Sequence, residues 1–170
     1  MNKIWLISDQ HFFHSNIIDI CNRPFKDVDE MNEELIKNHN SCVKNGHVVI
    51  HLGDFCFGNT ERISYILSRL NGEHKIVLGN HDHKSVGKYF EAGFKEVYKY
   101  PIIMDGFYIL SHKPVFLNKT MPYVNVHGHL HDTNMELKLD NDLNLYYNIS
   151  VEKIGYKPID FEIIKKYYNK

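Results

Sequence analysis

The chain reads as an α/β protein whose first half is parallel, and three observations carry that reading. Short apolar runs alternate with amphipathic segments of helical period in the order strand, helix, strand, helix, strand. Each of those apolar runs ends abruptly in polar side chains able to bind metal or move protons, as when a buried strand delivers its loop to a sheet edge. After Gly93 the period shortens, and Asp105-Gly106 separates two apolar runs, a hairpin signal that makes the second half hairpin-rich.

Taken in order, Lys3 to Ser8 is a first buried strand carrying Ile4, Leu6 and Ile7. It delivers Asp9-Gln10-His11, and on extended backbone residues i and i+2 share a face, so Asp9 and His11 can grip one ion. The plainer alternative is that Asp9 caps a turn. Ser15 is placed to cap a short helix, which Asn22-Arg23-Pro24-Phe25 breaks. Arg23 is a candidate phosphate clamp, because a guanidinium forks onto phosphate oxygens, or else a solvated or helix-capping arginine. His14 carries the same ambiguity. Asp29 to Val43 is an amphipathic helix that Asp27 or Asp29 can start.

His47 to Leu52 is the second strand and ends in Gly53-Asp54, where Asp54 is a candidate carboxylate shared between two ions. His51 reads as packing rather than as a ligand. Thr60 to Leu70 is a helix with Ile63, Ile66, Leu67 and Leu70 as its core stripe. His74 to Leu78 is the third strand, followed by Gly79-Asn80-His81-Asp82. Alone, that tetrapeptide is no more than a turn, since Gly and Asn favour positive φ.

Residues after Lys84 are helical to about Glu91. Val97 to Met104 and Phe107 to Leu110 are strand-like, and the second ends in Ser111-His112. Pro122 to Val126 leads to His127-Gly128-His129-Leu130-His131, where His129 and His131 are again i and i+2. Leu143 to Val151 reads as another strand. Pro158 suits the first turn of a last helix, Ile159 to Tyr168.

Size and composition narrow the function. The 170 residues suit one domain, 1–170, and 20 Lys+Arg against 21 Asp+Glu leave no strong field. An extensive duplex nucleic-acid footprint needs a basic surface, so none is expected. Cys21, Cys42 and Cys56 lack CxxC spacing and read as reduced thiols of a cytoplasmic protein. No membrane-length apolar run or signal-peptide pattern is present. Twelve dispersed histidines suggest metal ligation or acid–base work.

The ordered set Asp9-Gln10-His11, Gly53-Asp54, Gly79-Asn80-His81-Asp82, His112 and Gly128-His129-Leu130-His131 resembles the calcineurin-like metallophosphoesterase superfamily. The stretch from Ile7 to His14 and on to Arg23-Pro24-Phe25 looks like its short prokaryotic and phage-type members. The resemblance implies a two-sheet mixed β-sandwich flanked by helices. It implies one ion held by Asp9, His11, Asp54 and His131, and a second held by Asp54, Asn80, His112 and His129. It further implies attack on phosphorus by a metal-bridging hydroxide, with His81 as proton donor and Asp82 or a backbone carbonyl orienting its ring.

Imidazole and oxygen ligands without thiolate favour Mn, with Fe, Zn, Ni or Co as alternatives. Gly53-Asp54 continues as Phe55-Cys56-Phe57-Gly58 without the Asp-Arg-Gly of the superfamily's protein phosphatases, and Asp82 stands where they carry Glu. With no insertion for a cap, the expectation is an open site for phosphodiesters, small or of nucleotide type. The alternatives are a phosphomonoesterase, a catalytically idle binding module of the same fold, and a nuclease of short single strands. The last would use Phe12, Phe13, Phe25, Phe55 and Phe57 as stacking surfaces. The sequence says nothing of oligomeric state.

Overall fold

The structure, a computed structural model, describes residues 3–133 and 143–168. Two mixed sheets pack with helices outside them. The first sheet holds β1 (Ile4–Ile7), β2 (Val48–His51), β3 (Glu73–Val77), β4 (Glu96–Tyr98) and β9 (Ile159–Asp160) in the order β4-β3-β2-β1-β9. Its first four strands are parallel, and β9 runs antiparallel to β1. The second sheet has the order β5-β6-β7-β8, from β5 (Ile102–Met104), β6 (Tyr108–Ser111), β7 (Val124–His127) and β8 (Tyr146–Asn148).

β1, Val48 to Ile50 of β2 and Ile76-Val77 of β3 are apolar because both faces of the sheet are covered there. Ile7, Val49 and Ile76 point into a core shared with the helices. The alternate residues Leu6, Ile50 and Val77 point into a second core with Tyr108, Leu110, Val124 and Val126 of the other sheet.

The helices are α1 (Asn16–Ile20), α2 (Val28–Cys42), α3 (Thr60–Arg69), α4 (Val86–Ala92) and α5 (Phe161–Tyr168). Asp27 starts α2, its carboxylate accepting the Glu30 amide at 2.8 Å. The expected Ser15 cap is absent: Ser15 has helical φ and ψ and makes no side-chain cap bond. Among the described residues no helix is long and apolar enough to cross a membrane.

Further expectations need correction. The run Val97 to Met104 is two strands in two sheets. Pro101 lacks an N–H and lies between β4 and β5, where the chain changes sheets. Among the described residues the second half holds one hairpin, β5–β6, whereas β6, β7 and β8 pair parallel. The long connections after Ser111 and His127 return the chain to the same end. Residues Ile159 and Asp160 are not helical: they pair with Leu6 and Trp5, and Asp160 then accepts the Glu162 amide at 3.0 Å at the start of α5. Leu143–Leu145 is a single 3-10 turn, and the expected strand begins only at Tyr146.

Candidate metal centre

The predicted ligands converge, but not by strand alternation. Asp9 (φ 60°), His11 (53°), Asp54 (52°), His129 (69°) and His131 (48°) all have left-handed backbone. Such torsions are rare for non-glycine residues and cluster at functional sites. The loop after β1 lies against the loop after β2 through a ladder of amides: Asp9 to the Gly53 carbonyl at 3.1 Å, His11 to Asp54 at 3.0 Å and Phe12 to Phe55 at 3.0 Å. Two glycines of the motifs are explained by close approach. A Cβ at Gly79 would run into the Asp54 carboxylate, and one at Gly128 into Ser8 Oγ and Asp9 Oδ2.

Two groups of donor atoms result. Asp9, His11 and His131 offer ligand atoms within 4.8 Å of one another, and so do Asp54, His112 and His129. Asp54 Oδ2 lies between the groups, 3.6 Å from His11 Nε2 and 3.3 Å from His112 Nε2. Asn80 Oδ1 joins the second group at 2.9 Å from His112 Nε2. Asp9 Oδ1 and His11 Nε2 are buried with no hydrogen-bond partner. Leaving such atoms unsatisfied costs about 1–3 kcal/mol each. Orphaned oxygen and nitrogen atoms among further carboxylate and imidazole donors fit a divalent cation.

The electrostatics agree with that fit. Burial holds His11 neutral, its imidazole pulled down to about 2, and pulls His129 down to about 4. Burial pushes the Asp9 carboxyl up, against the pull of His112 and His131. Burial pushes Asp54 up as well, but hydrogen bonding and charge from His112 outweigh it and hold the carboxyl at about 2. Burial pulls His112 and His131 down, yet the first is raised by its bond to Asp54 and the second by its bond to Glu152. The Leu52 carbonyl accepts from His112 Nδ1 at 2.8 Å, which fixes the ring with Nε2 turned toward Asn80 Oδ1 and Asp54 Oδ2.

Other candidates have different places. Arg23 is 4 % exposed, and its fork is engaged inside the protein. It donates to the carbonyls of Asp9 (2.7 Å) and Gln10 (2.9 Å), to Glu152 Oε1 (2.9 Å) and to Met31 sulfur (3.3 Å). Those donors are committed to bracing the Asp9 loop, not directed at solvent where a phosphate would approach.

Asp82 does not orient the His81 ring. Its carboxylate accepts the amides of Asp54 (2.7 Å), Gly79 (2.8 Å) and Phe55 (3.3 Å), tying two site loops together. The His81 amide donates to Asp54 Oδ1 at 2.8 Å, and its exposed ring has its centroid 5.5 Å from that of His11. His14 lies 3.3 Å from His11 between Nδ1 atoms and stacks on Phe57 at 4.1 Å. Phe12 and Phe55 are buried core, whereas Phe57 is 39 % exposed. His51 packs as expected, bonded to Gln10 and His74.

Sequence reasoning missed Glu152, which accepts from His131 Nδ1 at 3.0 Å and from Arg23. It belongs to no motif. A bridge between Ser8 and Ser150 brings it to the site, and nothing local in the chain announces that pairing.

The same arrangement has relatives. Residues 2–166 match the family described as calcineurin-like phosphoesterase. An uncharacterized protein of Methanocaldococcus jannaschii is 38 % identical over 175 residues, covering 100 % of this chain and 93 % of that protein. A solved structure of a protein of unknown function from Aquifex aeolicus superposes with a TM-score of 0.73 at 28 % identity, covering 98 % of this chain and 99 % of that one. The structure of the Pseudomonas putida nuclease MPE shares the fold, with a TM-score of 0.52 at 16 % identity over 75 % of this chain and 61 % of that one. On the extent of the family match, and with the motif residues gathered at one edge of the two sheets, the chain belongs to the calcineurin-like phosphoesterases.

Proposed function

We propose that the protein hydrolyses phosphodiesters, small or of nucleotide type, with two divalent transition-metal ions, manganese first among them. The observation that carries this reading is Asp54 Oδ2, within 3.6 Å of His11 Nε2 and 3.3 Å of His112 Nε2, one carboxylate oxygen common to both donor groups. Asp9, His11, Asp54 and His131 would hold one ion; Asp54, Asn80, His112 and His129 would hold the other. When bound, the pair supplies Lewis acidity to the phosphoryl oxygens and lowers the pKa of water.

The remaining steps belong to the chain's own residues. His81 keeps its amide on Asp54 and its ring exposed beside His11, so it gives a proton to the leaving oxygen from the solvent side. The His14–Phe57 stack forms a wall beside it, against which a base or aryl group can lie. That wall supports a second reading, cleavage of short single strands, and the Pseudomonas putida nuclease is built on this fold. Of the aromatic set, Phe12 and Phe55 are buried and Phe13 and Phe25 pack against the helix-side core, which leaves Phe57 for that role.

The test compares metal-stripped, manganese-reloaded and Asp54→Asn protein on bis- and mono-nitrophenyl phosphate and on labelled oligonucleotides. Turnover is expected only in the reloaded wild type and faster on the diester. Equal rates in all three preparations would end the proposal.

A further inference from the structure

A third group of donor atoms lies beside the metal centre, and no step of the hydrolysis uses it as a group. Cys21, the residue that closes α1, brings its sulfur within 4.8 Å of a His131 ring nitrogen and a Glu152 carboxylate oxygen, which are equally close to one another. The three residues line a cavity of about 360 Å³ together with Asn22, Asp132 and Tyr156. Glu152 supplies the independent observation. Its side chain is 4 % exposed, and Oε1 is held by Arg23 at 2.8 Å and His131 at 3.0 Å. Its other oxygen, Oε2, is buried without a hydrogen-bond partner. A buried carboxylate oxygen with no donor is a costly arrangement in a folded protein unless something occupies it.

We propose that Cys21, Glu152 and His131 form a third cation site, adjoining the Asp9–His11 donor group through the shared His131 ring and selective for thiophilic divalent ions. Sulfur, imidazole and carboxylate together are a zinc-type donor set, and the cavity leaves room for water as a fourth ligand. The hard ions manganese and magnesium prefer all-oxygen or oxygen–imidazole surroundings, so zinc and cadmium are the ions this set selects. Binding forms metal–sulfur and metal–nitrogen bonds and releases the Cys21 thiol proton and the His131 Nδ1 proton, now hydrogen-bonded to Glu152, to solvent. The site rests on the proposed function only through His131, which it shares with the Asp9–His11 donor group; it is therefore read by a sulfur-specific signal and not by activity.

Cadmium is the probe, because its bond to thiolate gives a charge-transfer absorption that oxygen and nitrogen ligands do not. Full-length protein saturated with manganese is titrated with cadmium chloride, with near-ultraviolet circular dichroism confirming that each variant is folded. One equivalent should develop the band in the wild type and in Cys42→Ser, and none in Cys21→Ser. Glu152→Gln should weaken cadmium binding by roughly tenfold or more. A band that persists in Cys21→Ser, an absent band in the wild type, or unchanged affinity in folded Glu152→Gln would overturn the proposal.

Discussion

At the scale of single residues, the site trades stability against capture of charge. Asp9 is fully buried, burial pushes its carboxyl above the usual range, and Oδ1 has no hydrogen-bond partner. In chelator, Asp9→Asn is expected to raise the unfolding free energy by about 1 kcal/mol, since a buried charge is removed. Manganese should no longer stabilise that variant, and calorimetry with and without metal reads both effects. His81→Asn should lower kcat by about 10²- to 10⁴-fold while bound manganese, measured by elemental analysis, stays at the wild-type level. Loss of manganese from that variant would reassign His81 from proton donor to metal retention. Arg23→Ala leaves Glu152 buried without its cation, and about 3–5 kcal/mol of destabilisation is expected from such a broken pair. Arg23→Ala should therefore lower the urea midpoint well before any change in KM is legible.

At the scale of elements, a line of buried imidazoles runs behind the first sheet. His51 Nε2 meets His74 Nδ1 at 3.0 Å, and His39 Nε2 reaches the Asn71 carbonyl at 2.8 Å. Burial pulls both His39 and His74 down to about 4. The unfolded chain takes up those protons near pH 6.5, whereas the folded chain does so only near pH 4. Stability is therefore complete above about pH 6.5 and falls as pH drops toward 4, by a few kcal/mol per histidine on the order-of-magnitude scale. Urea midpoints across that range should fall with acid, and His39→Gln should flatten the slope.

The same scale shows what the sequence discloses. Strands buried on both faces announce themselves as apolar runs, and β1, β2 and β3 were legible within a residue or two. Pairing partners are not local information. Nothing in the run to Met104 says which sheet it joins, and two residues such as Ile159-Asp160 are too few to show a period. The candidate ligands could be picked out together because each follows a strand. Glu152 could not, because its only link to His131 is a contact across the fold.

At the scale of the molecule, the donor groups straddle the two sheets. Asp9, His11 and Asp54 follow strands of the first, whereas His112, His129 and His131 follow strands of the second. A cation in either group thus fastens one sheet to the other across the core formed by Leu6, Ile50, Leu110 and Val126. Manganese at 100 times its Kd should add about 3 kcal/mol, a rise in Tm of roughly 5–10 °C for a chain of this size. Differential scanning with metal and with chelator measures it. Leu110→Ala, in the core between the sheets, should cost about 2–5 kcal/mol in both conditions, because the cavity it leaves does not depend on the cation.

The left-handed torsions at Asp9, His11, Asp54, His129 and His131 reach beyond chemistry. Aspartate, histidine and asparagine are enriched in such a bend and glycine adopts it freely, whereas β-branched side chains are strongly disfavoured. The permitted alphabet at these positions is consequently short even for a protein that never meets metal or substrate. A saturation library selected in chelator for folded protein alone should still be enriched in aspartate, asparagine, histidine and glycine there, with valine or isoleucine hardly returned at all.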